Sequence, residues 1–479
     1  MEYQNRNLTL LTDLYELTMM YGYYKKNMTD TEAVFDLFFR ELDGKREYAI
    51  MAGTDSIIDY INNLKFTPSD IEYLRSLKLF DEDFLQYLSE FKFTGEIYAM
   101  PEGEIVFPRE PLVRVKAPIL QAQLIETAIL TLVNHQTLIA TKASRVKYAA
   151  GNDNVMEFGL RRAQGPDAGT LGARAACIGG CGSTSNVVAG KLFDVAVSGT
   201  HAHSWVMSFP DEITAFRAYA ELFPDSCLLL VDTYDTLNSG VPNAIKVFDE
   251  LKAKGHKPLG IRLDSGDLSY ISKKAREMLD NAGYPDTIIC ASGDLDEVVI
   301  RELKAQGAKI NSWGVGTKLI TSSDLPALGG VYKLAAEVID GKIIPKIKIS
   351  ENPVKTTNPG YKKVVRLYDS YRMAIADVIC LDHEVIDESK PYTLIHPIYR
   401  YKKMTVSGFT TRELLVPVFK DGKQVYNSPS TKSICEFCTK EKSTFWDEYM
   451  RFMNPHIYKV DLSQELYDMK QKILDCHRQ

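Results

Sequence analysis

Leu259-Gly-Ile-Arg-Leu-Asp-Ser-Gly-Asp-Leu268 is the stretch that decides the fold. A short apolar run, long enough for a strand, ends in Arg262, Asp264 and Asp267 around a Ser-Gly turn. Helical periodicity follows at once, with Ile271, Ala275, Met278, Leu279 and Ala282 on one face. A strand whose C-terminal end carries charge on a tight turn before a helix is the unit from which a (β/α) barrel assembles an active site. Five other segments share the pattern: Val155–Arg162, Phe193–His203, Cys227–Asp235, Thr287–Asp294 and Lys309–Lys318. Any one of them reads as an ordinary turn, since Gly and Asp are common in turns. Six in succession, ending in arginines, aspartates and a histidine pair, predict a parallel sheet with its polar ends gathered at one mouth. Near-continuous apolar strands imply burial on both faces, and a closed barrel accounts for polar clusters at nearly every strand end better than an open sheet does.

Working outward, the spacing predicts three regions. Residues 1–140 form an N-terminal α/β domain, in which Val34–Arg40 is a strand, Thr67–Phe91 holds two helices, and Pro118 opens a long connecting helix. Residues 141–345 form the barrel. Residues 346–479 are a C-terminal region packing on the N-terminal domain, with a hairpin signal at Asn358-Pro-Gly360 and a helical tail. The 479 residues are 45% hydrophobic and 25% charged, the composition of a globular protein able to bury a core without staples. A formal charge of −6 argues against nucleic acid as a partner. The N-terminus lacks a signal core, and the most apolar helical run, Leu124–Ala140, is interrupted by Glu126, Asn134, His135 and Gln136. These features predict a cytoplasmic protein with no membrane partner. Cys435 and Cys438 form a lone CxxC; His456 and Cys476 are the candidates to complete a zinc site, but their spacing fits no common pattern.

His201-Ala-His203 is the sharpest chemical signal. In an extended chain the two imidazoles share a face and could pair on a metal, as in barrel hydrolases. None of the other histidines (His135, His256, His383, His396, His456, His477) sits at such a strand end to complete the ligand set. One imidazole as nucleophile or proton carrier, the other as a hydrogen-bonded structural group, is the alternative. The acids Asp232, Asp235, Asp264 and Asp267 could hold sugar hydroxyls, bind a metal or stabilise a cation, and Asp235 and Asp267 are placed to cap helices. Gly293-Asp294 and Gly314-Val-Gly316-Thr317 let backbone N–H groups approach a phosphate, and neither fits the P-loop pattern. The residues alone thus point to an anionic, phosphorylated sugar substrate without naming the reaction.

The chain resembles the nicotinate phosphoribosyltransferase family, of the bacterial type, over nearly its whole length. The likeness rests on Leu10-Leu-Thr-Asp-Leu-Tyr-Glu-Leu-Thr18, Phe35-Asp-Leu-Phe-Phe-Arg40, Glu157-Phe-Gly-Leu-Arg-Arg-Ala-Gln-Gly165, Gly199-Thr-His-Ala-His-Ser204, Arg262-Leu-Asp-Ser-Gly-Asp267 and Lys355-Thr-Thr-Asn-Pro-Gly-Tyr-Lys362. It implies an irregular barrel of the type II phosphoribosyltransferase kind beside an N-terminal sandwich-like domain. It also implies transfer of phosphoribosyl from phosphoribosyl pyrophosphate to nicotinate, coupled to ATP hydrolysis, with Mg2+ carried mostly by substrate and water. A head-to-tail homodimer with shared active sites is part of the same implication. Residue by residue, His203 is the group phosphorylated by ATP, while His201 is left structural or supporting the groups around the substrate. Phe158 and Tyr15, the latter from the other subunit, sandwich the pyridine ring. Arg161 and Arg262 meet the nicotinate carboxylate or the pyrophosphate. Asp264 holds ribose hydroxyls and favours an oxocarbenium-like transition state. Gly293, Asp294, Gly316 and Thr317 cradle the 5-phosphate. Where the nicotinamide-using relative has an Asp, Gly182-Ser183-Thr184-Ser185 offers hydroxyls, so Ser183 and Thr184 favour nicotinate. The competing expectations are a nicotinamide phosphoribosyltransferase and, in another class, a metal-dependent barrel hydrolase built on His201 and His203.

Overall fold

The apolar runs that the sequence marks as strands do form one parallel sheet. In the computed structural model, which describes residues 6–42, 44 and 46–476, its strand order is Ser183–Thr184, Asn154–Glu157, Ser312–Val315, Ile288–Ser292, Gly260–Leu263 and Leu228–Leu230. Every pairing in it is parallel, so all six C-terminal ends share one edge. The helices between strands make that direction possible. Leu268–Asn281 starts at Asp267, whose carboxylate accepts the Tyr270 N–H at 3.0 Å; Asp235 caps the turn after Leu228–Leu230 through the Asn238 N–H at 2.9 Å. The buried stripe of Leu268–Asn281 is Ser269, Ser272, Ala275 and Leu279. It is rotated from the expected apolar face, leaving Ile271 and Met278 half-buried.

Among the described residues the sheet does not close by backbone pairing. A single parallel bridge, Thr184 to Val197, extends one edge. At the other edge the Leu230 N–H donates to His201 Nε2 at 3.2 Å. An imidazole thus bridges the segment after Val197 to strand Leu228–Leu230. His201 as a whole is 7% exposed, and its ring packs edge-on against Tyr219, 4.8 Å between centroids. Burial holds its pKa down at about 4, which keeps it neutral, with Nε2 as the acceptor.

Contacts divide the chain into two units, one of residues 139–326 with 430–435, the other of residues 1–138, 327–429 and 436–479. The parallel sheet belongs to the first. The second holds a seven-stranded antiparallel sheet, in the order Lys342–Pro345, Gly330–Ile339, Glu32–Phe39, Val113–Pro118, Glu96–Ala99, Val416–Lys420 and Lys423–Gln424. It also holds a mixed six-stranded sheet centred on Ala374–Leu381 and Val460–Leu462. Glu126–Ala150, the long helix expected after Pro118, carries the chain from one unit into the other. Gly330–Ile339 and Lys342–Pro345, inside the span read as barrel, pair in the antiparallel sheet of the second unit.

Asn358-Pro-Gly360 is not a hairpin. The strands on either side of it, Lys342–Pro345 and Lys362–Tyr368, lie in different sheets. The hairpin turn falls at Asp340-Gly341, with φ of 49° and 72°, the left-handed pair that a two-residue turn requires.

The second unit is tied together by one buried charge network. Arg366, fully buried, donates to Asp377 Oδ1 and Oδ2 at 2.8 and 2.6 Å, to Glu104 Oε1 at 2.5 Å and to the Ile105 carbonyl at 2.7 Å. Arg412 meets the other Glu104 oxygen at 2.8 Å, and the Tyr458 hydroxyl donates to Asp377 at 2.9 Å. Each buried charge is compensated by the others, so removing one strands the rest. Arg366→Met should cost about 3–5 kcal/mol, read as a lower urea midpoint. His201 makes a second prediction. Its folded pKa lies below its unfolded value of 6.5, so its contribution is complete above pH 6.5 and is lost as pH falls towards 4. At about 1.4 kcal/mol per unit the loss amounts to about 3 kcal/mol. His201→Gln, which keeps an acceptor but no titration, should flatten that limb of the stability–pH profile.

Candidate active site

The parallel direction of the sheet places Asp232, Arg262, Asp264, Ser292 and Phe158 on its C-terminal edge. Asp232 lies two residues past strand Leu228–Leu230, with its side chain 1% exposed. Its Oδ1 meets His203 Nε2 at 3.2 Å. Its Oδ2 accepts the Asp264 N–H at 2.9 Å and the Ser265 hydroxyl at 2.6 Å. The ionised form is an acceptor only, so the His203 nitrogen facing it carries a proton and the neutral ring has its lone pair on Nδ1. No partner of Nδ1 is found among the described residues.

Arg262, next to last in strand Gly260–Leu263, directs its fork at three segments. Nε donates to Ser292 Oγ, Nη1 to Thr200 Oγ1 and Nη2 to Asp264 Oδ1, each at 2.8 Å. The Ser292 hydroxyl also makes a short hydrogen bond to Asp264 Oδ1. Burial pushes the Asp264 carboxyl up, but the Ser292 hydrogen bond and the Arg262 charge outweigh it, and its pKa lies below the ordinary value. Asp264 is therefore held ionised. Among the described residues its Oδ2 accepts no hydrogen bond. Gly293, at φ 94°, is required here because a side chain would strike the Asp264 carbonyl.

Phe158 lies against strand Ser312–Val315. A Cβ on Gly314 would come within 2.6 Å of its ring, so the absent side chain is what seats it, with the Arg262 guanidinium 5.7 Å from the ring centroid. Beneath it Glu157 is fully buried. Its carboxylate accepts the Gly159 N–H and, at 2.6 Å, the Thr184 hydroxyl, and burial raises its pKa.

His203, Asp264, Arg262 and Gly293 thus belong to one connected cluster, and Phe158 packs beside it. Thr184 donates its hydroxyl inward to Glu157 and so holds the strand end. Ser183 shares a hydrogen bond of 2.5 Å with Ser198. Arg161 is exposed on the single turn Leu160–Arg162. Asp294 is exposed at φ 47°, and Gly316 precedes the four-residue helix Thr317–Ile320. Tyr15 lies in the other unit, 45% exposed in the first turn of helix Leu14–Lys25. Its hydroxyl lies beside Glu126, and burial together with that carboxylate raises its pKa. In the same unit Lys333 stands 3.9 Å from Glu126, under the charges of Arg40 and Lys348.

The two histidines do not share an extended face, because a helix starts at His203. The His201 Nε2 lone pair is taken by Leu230, and no group of three metal-capable side chains is found among the described residues. His477 lies outside those residues. Cys435 and Cys438 hold no such cluster; the Cys435 thiol donates to the Cys177 carbonyl at 3.2 Å. No helix of the described residues is long and apolar enough to cross a membrane. Glu157, Ser292 and Thr200 were not singled out from the sequence. The only signal for Ser292 was its place at the end of an apolar run beside Gly293.

Three family models match in order along the chain. They are the nicotinate phosphoribosyltransferase N-terminal domain over residues 10–134, the nicotinate phosphoribosyltransferase family over 154–389 and its C-terminal domain over 361–470. The chain is 48% identical over 469 residues to a nicotinate phosphoribosyltransferase of Bacillus subtilis, covering 98% of this chain and 95% of that one. It is 32% identical over 514 residues to the Homo sapiens protein of that name, covering 95% of each. The crystal structure of human nicotinic acid phosphoribosyltransferase superposes with a TM-score of 0.84 at 30% identity, over 97% of this chain and all of the other. A Pyrococcus furiosus nicotinate-nucleotide pyrophosphorylase shares the fold, with a TM-score of 0.70 at 22% identity over 91% and 95% of the two chains. With models covering both ends and the centre, and relatives aligned end to end, the chain belongs to the nicotinate phosphoribosyltransferase family.

Proposed function

We propose that this protein transfers the phosphoribosyl group of phosphoribosyl pyrophosphate to nicotinate, releasing pyrophosphate, as a step of NAD salvage in the cytoplasm. We further read the transfer as coupled to ATP hydrolysis through phosphorylation of His203. The observation that carries the coupling is the His203–Asp232 pair. Asp232 fixes the proton on Nε2 and leaves the Nδ1 lone pair as nucleophile. In the phosphorylation step an Nδ1–P bond forms as the bond from the γ-phosphorus to the bridging oxygen breaks, and ADP departs with that oxygen's electron pair. Asp232 stabilises the positive ring that results.

In the transfer step the ribose C1–oxygen bond to pyrophosphate breaks and a bond from C1 to the pyridine nitrogen forms. An ionised Asp264 suits the positive charge that develops on the sugar. The guanidinium of Arg262, held by three hydrogen bonds, is a pre-aimed anion partner, and the exposed Arg161 is read as meeting a carboxylate. Phe158 offers one flat face for the pyridine ring; Tyr15 of the partner subunit would supply the other in a homodimer with shared sites. The turns at Gly293-Asp294 and Gly316-Thr317 are read as the 5-phosphate cradle. The open Asp264 Oδ2 is an oxygen ligand of the kind Mg2+ takes, so this carboxylate could help hold a magnesium ion carried on the pyrophosphate and neutralising its charge. The parallel sheet is read as an irregular barrel of the type II phosphoribosyltransferase kind, its seam closed by His201. That use of His201 counts against a hydrolase that needs both imidazoles on a metal.

Purified protein given magnesium, phosphoribosyl pyrophosphate and ATP should form mononucleotide from nicotinate, with ADP rising alongside. His203→Ala should abolish the ADP response. Product from nicotinamide instead would replace this reading with its relative. Ser292→Ala should raise the Asp264 pKa by removing a donor to the ionised form, moving the acid limb of kcat/KM to higher pH. An unmoved limb would separate Asp264 from the chemistry.

A further inference from the structure

Outside the candidate active site, the unit formed by the two ends of the chain contains a small, strongly cationic cavity. It lies between Asp36 on strand Glu32–Phe39, the loop of Lys355 and Asn358, Arg109, Lys362 and Lys470 on helix Gln464–Cys476. Four cations face it with one carboxylate. Lys362 pairs with that carboxylate at 2.7 Å, so the other three have no counter-charge there.

The partners of these groups are neutral or missing. Lys470 is 3% exposed. Its ammonium donates to Asn358 Oδ1 at 2.8 Å and the Pro397 carbonyl at 3.3 Å, and no carboxylate among the described residues forms an ion pair with it. The Arg109 guanidinium makes no hydrogen bond among the described residues, and its Nε is buried without a partner. Arg109 also sits at φ 74°, a conformation that residues with side chains rarely adopt. The carboxylate that acts on it, Glu41, is exposed. Burial, then Arg109 and Lys362, pull the Lys470 pKa down to about 8. His396, nearby, is pulled to about 4 by burial and by Arg109, Lys402, Lys459 and Lys470. An unpaired buried charge is expensive, and a bound anion would satisfy the buried Lys470 and the half-buried Arg109 at once, with the exposed Lys355 at the rim.

The size of the cavity limits the ligand. The space open to the centre of a water-sized sphere is about 30 Å3, where one water needs roughly 10–15 Å3. That accommodates one tetrahedral oxyanion group. The geometry points to this cavity as a binding site for a single phosphate-type oxyanion, separate from the substrate cluster around Arg262, with Lys470 and Arg109 as its principal donors.

The test is calorimetric titration of inorganic phosphate into the full-length protein in phosphate-free buffer, beside the variants Lys470→Met and Arg109→Gln. Phosphate sites around Arg262 are unchanged in both variants and serve as the internal reference. The native protein should bind one more phosphate per chain than either variant, or bind it at least tenfold more tightly, while KM for phosphoribosyl pyrophosphate is unaltered. The two substitutions lie on different segments, so one suffices if the other does not fold. Identical phosphate isotherms in native and variant proteins would overturn the proposal.

Discussion

The carboxylate of Asp232 is the constraint on which the rest of the candidate site depends. A buried carboxylate is tolerated only when donors surround it, and this one uses both oxygens. One engages the imidazole of His203, the other the backbone N–H of Asp264 and the hydroxyl of Ser265. A single charge at the end of one strand therefore selects the tautomer of His203 and positions the turn after the next strand. That turn carries Asp264, which meets Arg262, which reaches Ser292 and Thr200. The chain of bonds runs through three neighbouring strand ends, and it exists because parallel strands bring those ends to the same edge.

Much of this was legible locally. Apolar runs ending in polar turns are a property of a few consecutive residues, as are the caps at Asp235 and Asp267. What could not be read depends on partners distant in sequence. The inward-facing Thr184 hydroxyl requires Glu157, 27 positions away, and the role of Ser292 requires the register of strand Ile288–Ser292 on Gly260–Leu263. Asn358-Pro-Gly360 carries the composition of a turn, but Lys362–Tyr368 finds its partner ahead of it, in Ala374–Leu381. Asp340-Gly341 was the less conspicuous signal and the actual hairpin. The antiparallel sheet joins residues near 35 to residues near 335, a pairing invisible to any window of local periodicity.

His201 and His203 show how two identical side chains two residues apart acquire opposite properties. One is buried and neutral, its lone pair spent on a backbone N–H at the sheet edge. The other opens a helix, 39% exposed, with no partner for its outer nitrogen among the described residues. The difference comes from the chain turning helical between them. Sequence spacing alone would assign both imidazoles to one task, whereas the local backbone ties one to the sheet edge and leaves the other on the candidate site.

The charge network around Arg366 also bears on the order in which the molecule forms. Glu104 and Arg366 are 262 positions apart, and at roughly 5–20 residues per second a ribosome takes about 13–50 s to travel from one to the other. Through that interval Glu104 lacks its guanidinium, and through most of it strand Glu32–Phe39 lacks Gly330–Ile339 along one side. The intervening parallel sheet, almost continuous in sequence, can meanwhile complete itself. The N-terminal third thus waits with an unpaired strand edge, the kind of surface that templates aggregation. An open strand edge during synthesis is thus a property of the unit that does not contain the His203–Asp232 pair.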